Sequence, residues 1–219
     1  MHFAFTEEQE MLRREARDVL ANGGWGRDEV AELGFLDRAV LFEEFGRANQ
    51  GESYFDPTRP RAEQLAALSL EAVGIAAKVL ELAVEYAKTR QQFGRPIGVY
   101  QAVSHKLTDT YVETELARSL AYWAAWCVAE GDEQTAVAVA AAKAYCGDAA
   151  VAACERSIQV HGGIGFTWEH VLHRYYKRAQ WIQAFGGFAA VLRAEVARSV
   201  LEGEELDELE ATAFAAETR

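Results

Sequence analysis

Proline is scarce in this chain, with three residues among 219, and alanine-rich stretches run long between them. Few helix breakers and many helix formers favour long helices. No stretch alternates apolar and polar residues convincingly enough to predict a strand. There are only three cysteines, Cys127, Cys146 and Cys154. They sit inside helical patterns, without partners at metal-ligand spacing, and read as buried thiols of a reducing compartment. No run of 18 uncharged apolar residues occurs, so no transmembrane helix is expected. Residues 1–20 carry an acidic helical pattern rather than that of a signal peptide. Positive charge is also in deficit. The formal net charge of −12 excludes a nucleic-acid surface and suits a cytoplasmic protein. Half the residues are hydrophobic, enough for a globular core.

Helical periodicity fills the chain. Thr6-Glu7-Glu8-Gln9 is a capping box and opens a helix through Leu20. Asn22-Gly23-Gly24 ends it. A short helix is predicted over 28–33 and another over 37–49. Gly51, Ser53, Asp56, Pro57 and Pro60 mark residues 51–60 as a linker. From Arg61 to Arg90, apolar residues recur every three or four positions, including Leu65, Leu68, Ile75 and Val79. Further helices are predicted over 99–130, from Glu133 to about Val160, from Glu169, and, beyond Gly186-Gly187, to Leu201. The spacing predicts an all-α, up-and-down bundle over 61–201. Residues 1–50 form a shorter helical segment, and 202–219 an acidic tail.

The stretch from Tyr86 to Gln101 joins two of these patterns. Pro96 disfavours helix at Arg95. A helix is expected to stop near Gln92 and restart near Val99, with Arg90, Arg95 and Gln101 crowded about the turn. Two guanidiniums and an amide suit a phosphate or carboxylate. A basic helix C-terminus complementing its dipole gives the same pattern.

Tyr86-x-x-x-Arg90-x-x-Phe93-Gly94-x-Pro96-Ile97-x-x-x-Gln101 resembles the first signature of the C-terminal helical domain of acyl-CoA dehydrogenases. Gln159-Val160-His161-Gly162-Gly163-Ile164-Gly165-Phe166 is similar to that family's second signature. The two occur in the family's order. Residues 61–201 carry the resemblance well, and 3–50 more weakly, through Phe5-Thr6-Glu7-Glu8-Gln9, Ala31-Glu32-Leu33-Gly34-Phe35 and Phe42-Glu43-Glu44-Phe45-Gly46-Arg47. The family's middle β-barrel has no counterpart, because the linker occupies its place.

The resemblance implies an FAD site shared across a subunit interface. It places Arg90, Phe93 and Gln101 against the flavin cofactor of a neighbouring subunit, and Gln159, Gly162 and Gly163 against its adenine-diphosphate part. Glycines let backbone amides approach a pyrophosphate. Gly162–Gly165 also reads as a simple helix-ending turn. Desaturation of an acyl-CoA needs a carboxylate for the α-proton while flavin N5 takes the β-hydride. An ungapped count from Gly162 puts the family's usual glutamate at Gly186, which has no side chain. The family's other base position falls at about Gln64, with Glu63 beside it and about 100° around the helix.

The resemblance therefore implies a subunit that desaturates acyl-CoA beside a full-length partner, as a homo- or hetero-oligomer, with no nucleic acid and no membrane. Heteromeric acyl-CoA dehydrogenases acting on steroid side chains divide labour in this way. Two alternatives stand beside it: a self-sufficient flavoenzyme with an unorthodox base, and a flavin-free helical scaffold. Several residues have structural readings. Glu169 is expected to cap the next helix, and Glu71 to pair with an arginine. Tyr175, Tyr176 and Trp181 read as core or interface aromatics, and His105 and His161 as neutral structural residues. The i,i+3 pair His170 and His173 lacks the facing carboxylates of a metal site.

Overall fold

The computed structural model describes residues 5–24, 26–203 and 206. Its order is α1 (Glu7–Ala21), α2 (Arg27–Ala31), α3 (Phe35–Ala48), α4 (Gly51–Tyr54), α5 (Arg61–Thr89), a hairpin of β1 (Gln91–Gln92) and β2 (Arg95–Pro96), α6 (Gln101–Glu130), α7 (Thr135–His161), α8 (Leu172–Ala184) and α9 (Ala189–Glu202). Short 3-10 turns cover Ile97–Val99 and Gly162–Phe166. The architecture is all-α. The acidic tail beyond Gly203 lies almost wholly outside the described residues.

Long helices α5, α6 and α7 form the centre of the bundle, and α8 closes it. Their shared core joins Leu68, Ile75 and Val79 of α5, Ala117, Ala121 and Ala125 of α6, Ala150, Ala153 and Cys154 of α7, and Leu172 and Ile182 of α8. Alanine on α6 and α7 permits this close approach. Length and hydropathy alone would let the stretch Thr135–Phe166 cross a membrane, but 72% of its most apolar window is buried inside the protein. All three cysteines are buried and free.

The N-terminal helices dock onto α5 through α3. A Cβ at Gly46 would lie 2.1 Å from the Glu71 carbonyl oxygen, and one at Gly74 would lie 1.9 Å from that of Glu43. The two backbones cross with no room for a side chain. Glu43 and Glu44 are buried beside this crossing. Arg17 donates two bonds to Glu44, both 2.8 Å, and so fastens α1. Arg118 donates to Glu43 at 3.1 Å, which ties α6 to α3. A buried carboxylate persists only when paired in this way.

Several local expectations are corrected. Helix α5 stops at Thr89 rather than Gln92, and α6 restarts at Gln101 rather than Val99. Between them lies a small hairpin where no strand was expected, pairing Gln91 with Pro96 and Gln92 with Arg95. Its two-residue turn, Phe93 and Gly94, has φ of 52° and 79°. Positive φ at both positions is the mark of a primed hairpin turn. Gly51–Tyr54 form a helical turn within 51–60, where Tyr54 stacks on Phe45 at 3.8 Å. Glu169 does not cap α8. Instead His170 Nδ1 accepts from the Leu172 amide at 3.3 Å. The Thr6 capping box is present with both reciprocal bonds.

Gly74→Ala forces α3 and α5 apart at backbone level. Overpacking of this kind costs about 1–3 kcal/mol, and backbone contact puts this site at the upper end. Urea denaturation should show a lowered midpoint, whereas Gly163→Ala, which meets open space, should leave it unchanged.

Candidate functional site

Two surfaces stand apart: the end of the bundle that carries both signatures, and a cleft beside the first turns of α5. At the signature end, Tyr86 of α5 stacks on His161 of α7, with ring centroids 4.5 Å apart. Val160 packs with Ala83 and Ala87, flanked by Ile97, Val103 and Leu107. The Ile97 amide donates to the Arg90 carbonyl at 2.8 Å and closes the turn after α5. Segments about seventy residues apart in sequence are thus held side by side.

His161 is the pivot. Its Nδ1 lies 2.8 Å from the Ser157 carbonyl, which can only accept, so Nδ1 carries the proton. Ser157 Oγ in turn donates to the Val79 carbonyl of α5 at 2.9 Å. Burial lowers the His161 pKa, and the ring is neutral at pH 7. His170 stands 4.5 Å from it and is lowered too, by burial and then by the neighbouring His161 and His173. No group of three His, Cys, Asp or Glu able to hold a metal occurs among the described residues.

Around this buried pivot, the residues named from sequence point outward. Arg90, Arg95, Gln101 and Gln159 are exposed, as is His105. Phe93 is 91% exposed, although its left-handed backbone costs about 1–2 kcal/mol. Phe166 and Trp168, just past the glycine turn, are each 77% exposed. Gly163 is exposed, and a Cβ on it or on Gly162 would meet nothing within 4 Å. The backbone there is open to a close approach from outside. Cationic, aromatic and bare-backbone elements thus share one end of the bundle. Arg95 is engaged within the turn, where its Nε donates to Tyr100 Oη at 3.3 Å.

The cleft was not legible in the sequence. It holds about 300 Å³ and lies among α2, α3, α4 and the start of α5. Phe35, Phe42, Phe55, Ala67 and Leu68 line it, together with Gln64, Glu63 and Glu71. That volume is at the low end for ligand sites. Glu63 reaches the cleft but is ion-paired to Arg38 at 3.2 Å. Glu71 receives two bonds from Arg178, at 2.6 and 2.9 Å, which bears out its expected arginine partner. Burial raises the Glu71 pKa and Arg178 opposes the rise. Tyr175 is buried, while Trp181 is part of an aromatic cluster with Phe55 and Phe185.

Gly186 stands next to the same region. A Cβ there would lie 2.5 Å from Leu65 Cδ2 and 3.1 Å from an Arg61 nitrogen. The two positions considered for a base, residue 186 and the neighbourhood of residue 64, therefore converge at the first turn of α5. Neither Gly186 nor Gln64 is a carboxylate.

Residues 64–201 match the family model described as "Acyl-CoA dehydrogenase, C-terminal domain". Among similar curated proteins, acyl-CoA dehydrogenase IpdE2 of Mycobacterium tuberculosis is 46% identical over 112 residues, covering 51% of this chain and 33% of that protein. Acyl-CoA dehydrogenase FadE34 of the same organism is 46% identical over 137 residues, 61% of this chain and 19% of that protein. The chain thus spans a third or less of these relatives. Among solved structures, the ChsE4-ChsE5 complex from Mycobacterium tuberculosis contains a chain that superposes with a TM-score of 0.61 at 31% identity, covering 65% of this chain and 38% of that one. The matched residues include both signatures and the helices that hold them together, and on this ground the chain belongs to the acyl-CoA dehydrogenase family.

Proposed function

We propose that this chain is an acyl-CoA dehydrogenase-type subunit that lends its signature end to an FAD site shared with a full-length partner, and that the partner supplies the catalytic carboxylate. The observation that carries this reading is the contrast between the two ends of α5. At its C-terminal end, Arg90, Phe93, Gln101, Gln159 and Gly163 are exposed, and Gly162 half-buried, about the Tyr86–His161 stack. At its N-terminal end, the base position is Gly186 and its neighbour is a cation, Arg61. FAD would supply the hydride acceptor for α,β-desaturation. Arg90 would hold an anionic part of it, Phe93 would cover an apolar part, and the glycine backbone would approach its pyrophosphate.

Glu63 is a poor base for the self-sufficient alternative. Its carboxylate is committed to an ion pair with Arg38 at 3.2 Å and would have to leave that partner to reach a substrate. Phe35, Phe42, Phe55 and Leu68, on the wall of a cleft otherwise rich in charged residues, suit the acyl part of an acyl-CoA. Association is favoured by apolar residues left in the open: Tyr111, Val112 and Leu116 on α6, and Val191 and Val200 on α9. That one relative of known structure is named as a complex of two different chains, ChsE4 and ChsE5, supports the heteromeric form.

Co-expression with a full-length acyl-CoA dehydrogenase partner should give a yellow complex, while this chain alone purifies without colour. In the complex, Arg90→Ala should weaken flavin retention by about 10-fold or more, the worth of one charge-assisted bond, as read by the flavin absorbance left after gel filtration. Glu63→Gln should leave turnover nearly unchanged. Turnover abolished by Glu63→Gln with flavin still bound would mean that this chain carries its own base. In sedimentation, a stable monomer at micromolar concentration, alone and with the partner, would contradict the shared site.

A further inference from the structure

Arg38 on α3 has more donors than the folded chain gives it acceptors. It is 8% exposed and lines the cleft. A guanidinium carries five N–H donors. Among the described residues, Arg38 makes one hydrogen bond, from Nη2 to Glu63 Oε2 at 3.2 Å. Its Nε is buried and has no partner. The Phe35 ring, centred 5.1 Å from the guanidinium carbon, covers the group but offers no lone pair. The other arginines of the wall differ. Arg27 is exposed to water and donates to the Phe55 carbonyl at 3.1 Å, and Arg59 is half-buried, 3.6 Å from Asp56. The buried carboxylate of the wall, Glu71, is held by Arg178.

A structural role covers part of this. Through Glu63, in the first turn of α5, Arg38 ties α3 to α5. That tie needs one donor, and a lysine would serve it. It leaves Nε unmet, and a buried donor without an acceptor is costly.

The surroundings say which acceptor fits. Phe35, Phe42, Phe55 and Leu68 give the cleft an apolar wall. Three arginines on that wall stand against four carboxylates, so the cleft is not cationic and an anion gains little there. Glu63 already offsets the charge of Arg38. An uncharged oxygen accepts from a guanidinium without bringing a charge of its own. We propose that Arg38 is a specificity-determining residue, which donates to an uncharged oxygen, hydroxyl or carbonyl, on the acyl group that occupies the cleft. The chain then prefers an oxygenated acyl group to a plain hydrocarbon one, because the plain one leaves the buried donor unmet.

The proposal rests on the reading of the cleft as an acyl-CoA site, and the test separates the two. The probes are hexanoyl-CoA, its derivatives with one hydroxyl or one keto oxygen at each carbon from the β-position outward, adipoyl-CoA as the anionic counterpart, and free hexanol. Calorimetric titration of the full chain should show an oxygenated ester binding about 10-fold tighter than hexanoyl-CoA, the scale of one hydrogen bond to a charged group. Adipoyl-CoA should gain no such preference. Arg38→Lys keeps the ion pair with Glu63 but loses Nε and the planar fork. It should hold the melting temperature and erase the preference, whereas a purely structural Arg38 would leave the ratio of the esters unmoved. Arg38→Gln should erase the preference as well. Hexanoyl-CoA binding as tightly as every oxygenated ester, or a preference that survives both substitutions, would overturn the role of Arg38 and leave the acyl-CoA reading in place. Adipoyl-CoA as the tightest ester would overturn the uncharged oxygen. Hexanol bound through Arg38, with no binding of any ester, would uphold the donor and overturn the acyl-CoA reading. No binding of any probe would overturn both.

Discussion

The backbone contact between α3 and α5 sets the rest of the geometry. Gly46 lies on the Glu71 carbonyl and Gly74 on that of Glu43, so the helices touch along their main chains. That contact buries Glu43 and Glu44 next to it, and their arginine partners then fix α1 and α6. It also brings Gly51 against the Glu71 carboxylate, where a Cβ would lie 2.0 Å from the carboxyl carbon. Gly51 starts α4, and α4 leads to Phe55 and the cleft wall. Helix α5 is therefore held at its N-terminal half by α3 and at its C-terminal half by the Tyr86–His161 stack. One helix of 29 residues links the cleft to the exposed signature end.

The helices were legible because their signals are local. The capping box at Thr6 and the periodicity of α5 each need only a few neighbouring residues. The all-α bundle followed, as did an arginine partner for Glu71. The hairpin was missed because its turn is Phe93-Gly94 rather than the Asn-Gly that usually marks one. The cleft was missed because α2, α3, α4 and α5 build it together, and no single stretch shows it. Arg38 gave no signal, since an arginine in the first turn of a helix looks solvated until α5 brings Glu63 against it.

The proposed division of labour follows from what each end of α5 offers. The signature end presents a cation, an aromatic ring and bare backbone to something outside the chain. At the other end, Leu65 and Arg61 close over Gly186, the residue to which an ungapped count assigns the family's carboxylate. A carboxylate grafted onto residue 186 would need φ near +80° and would collide with Leu65. The departure is thus built into the packing around the glycine and is more than a single substitution. What remains is a family fold over residues 64–201, on which the proposed division assigns one end to a shared cofactor.

The most direct measurement is anaerobic titration of the co-purified complex with an acyl-CoA substrate, followed by bleaching of the flavin band. The account predicts that replacing the partner's catalytic glutamate by glutamine abolishes bleaching at every flavin in the complex, with this chain intact. Bleaching that persists in that complex and disappears only with Glu63→Gln would contradict it, because the α-proton would then be leaving through this chain.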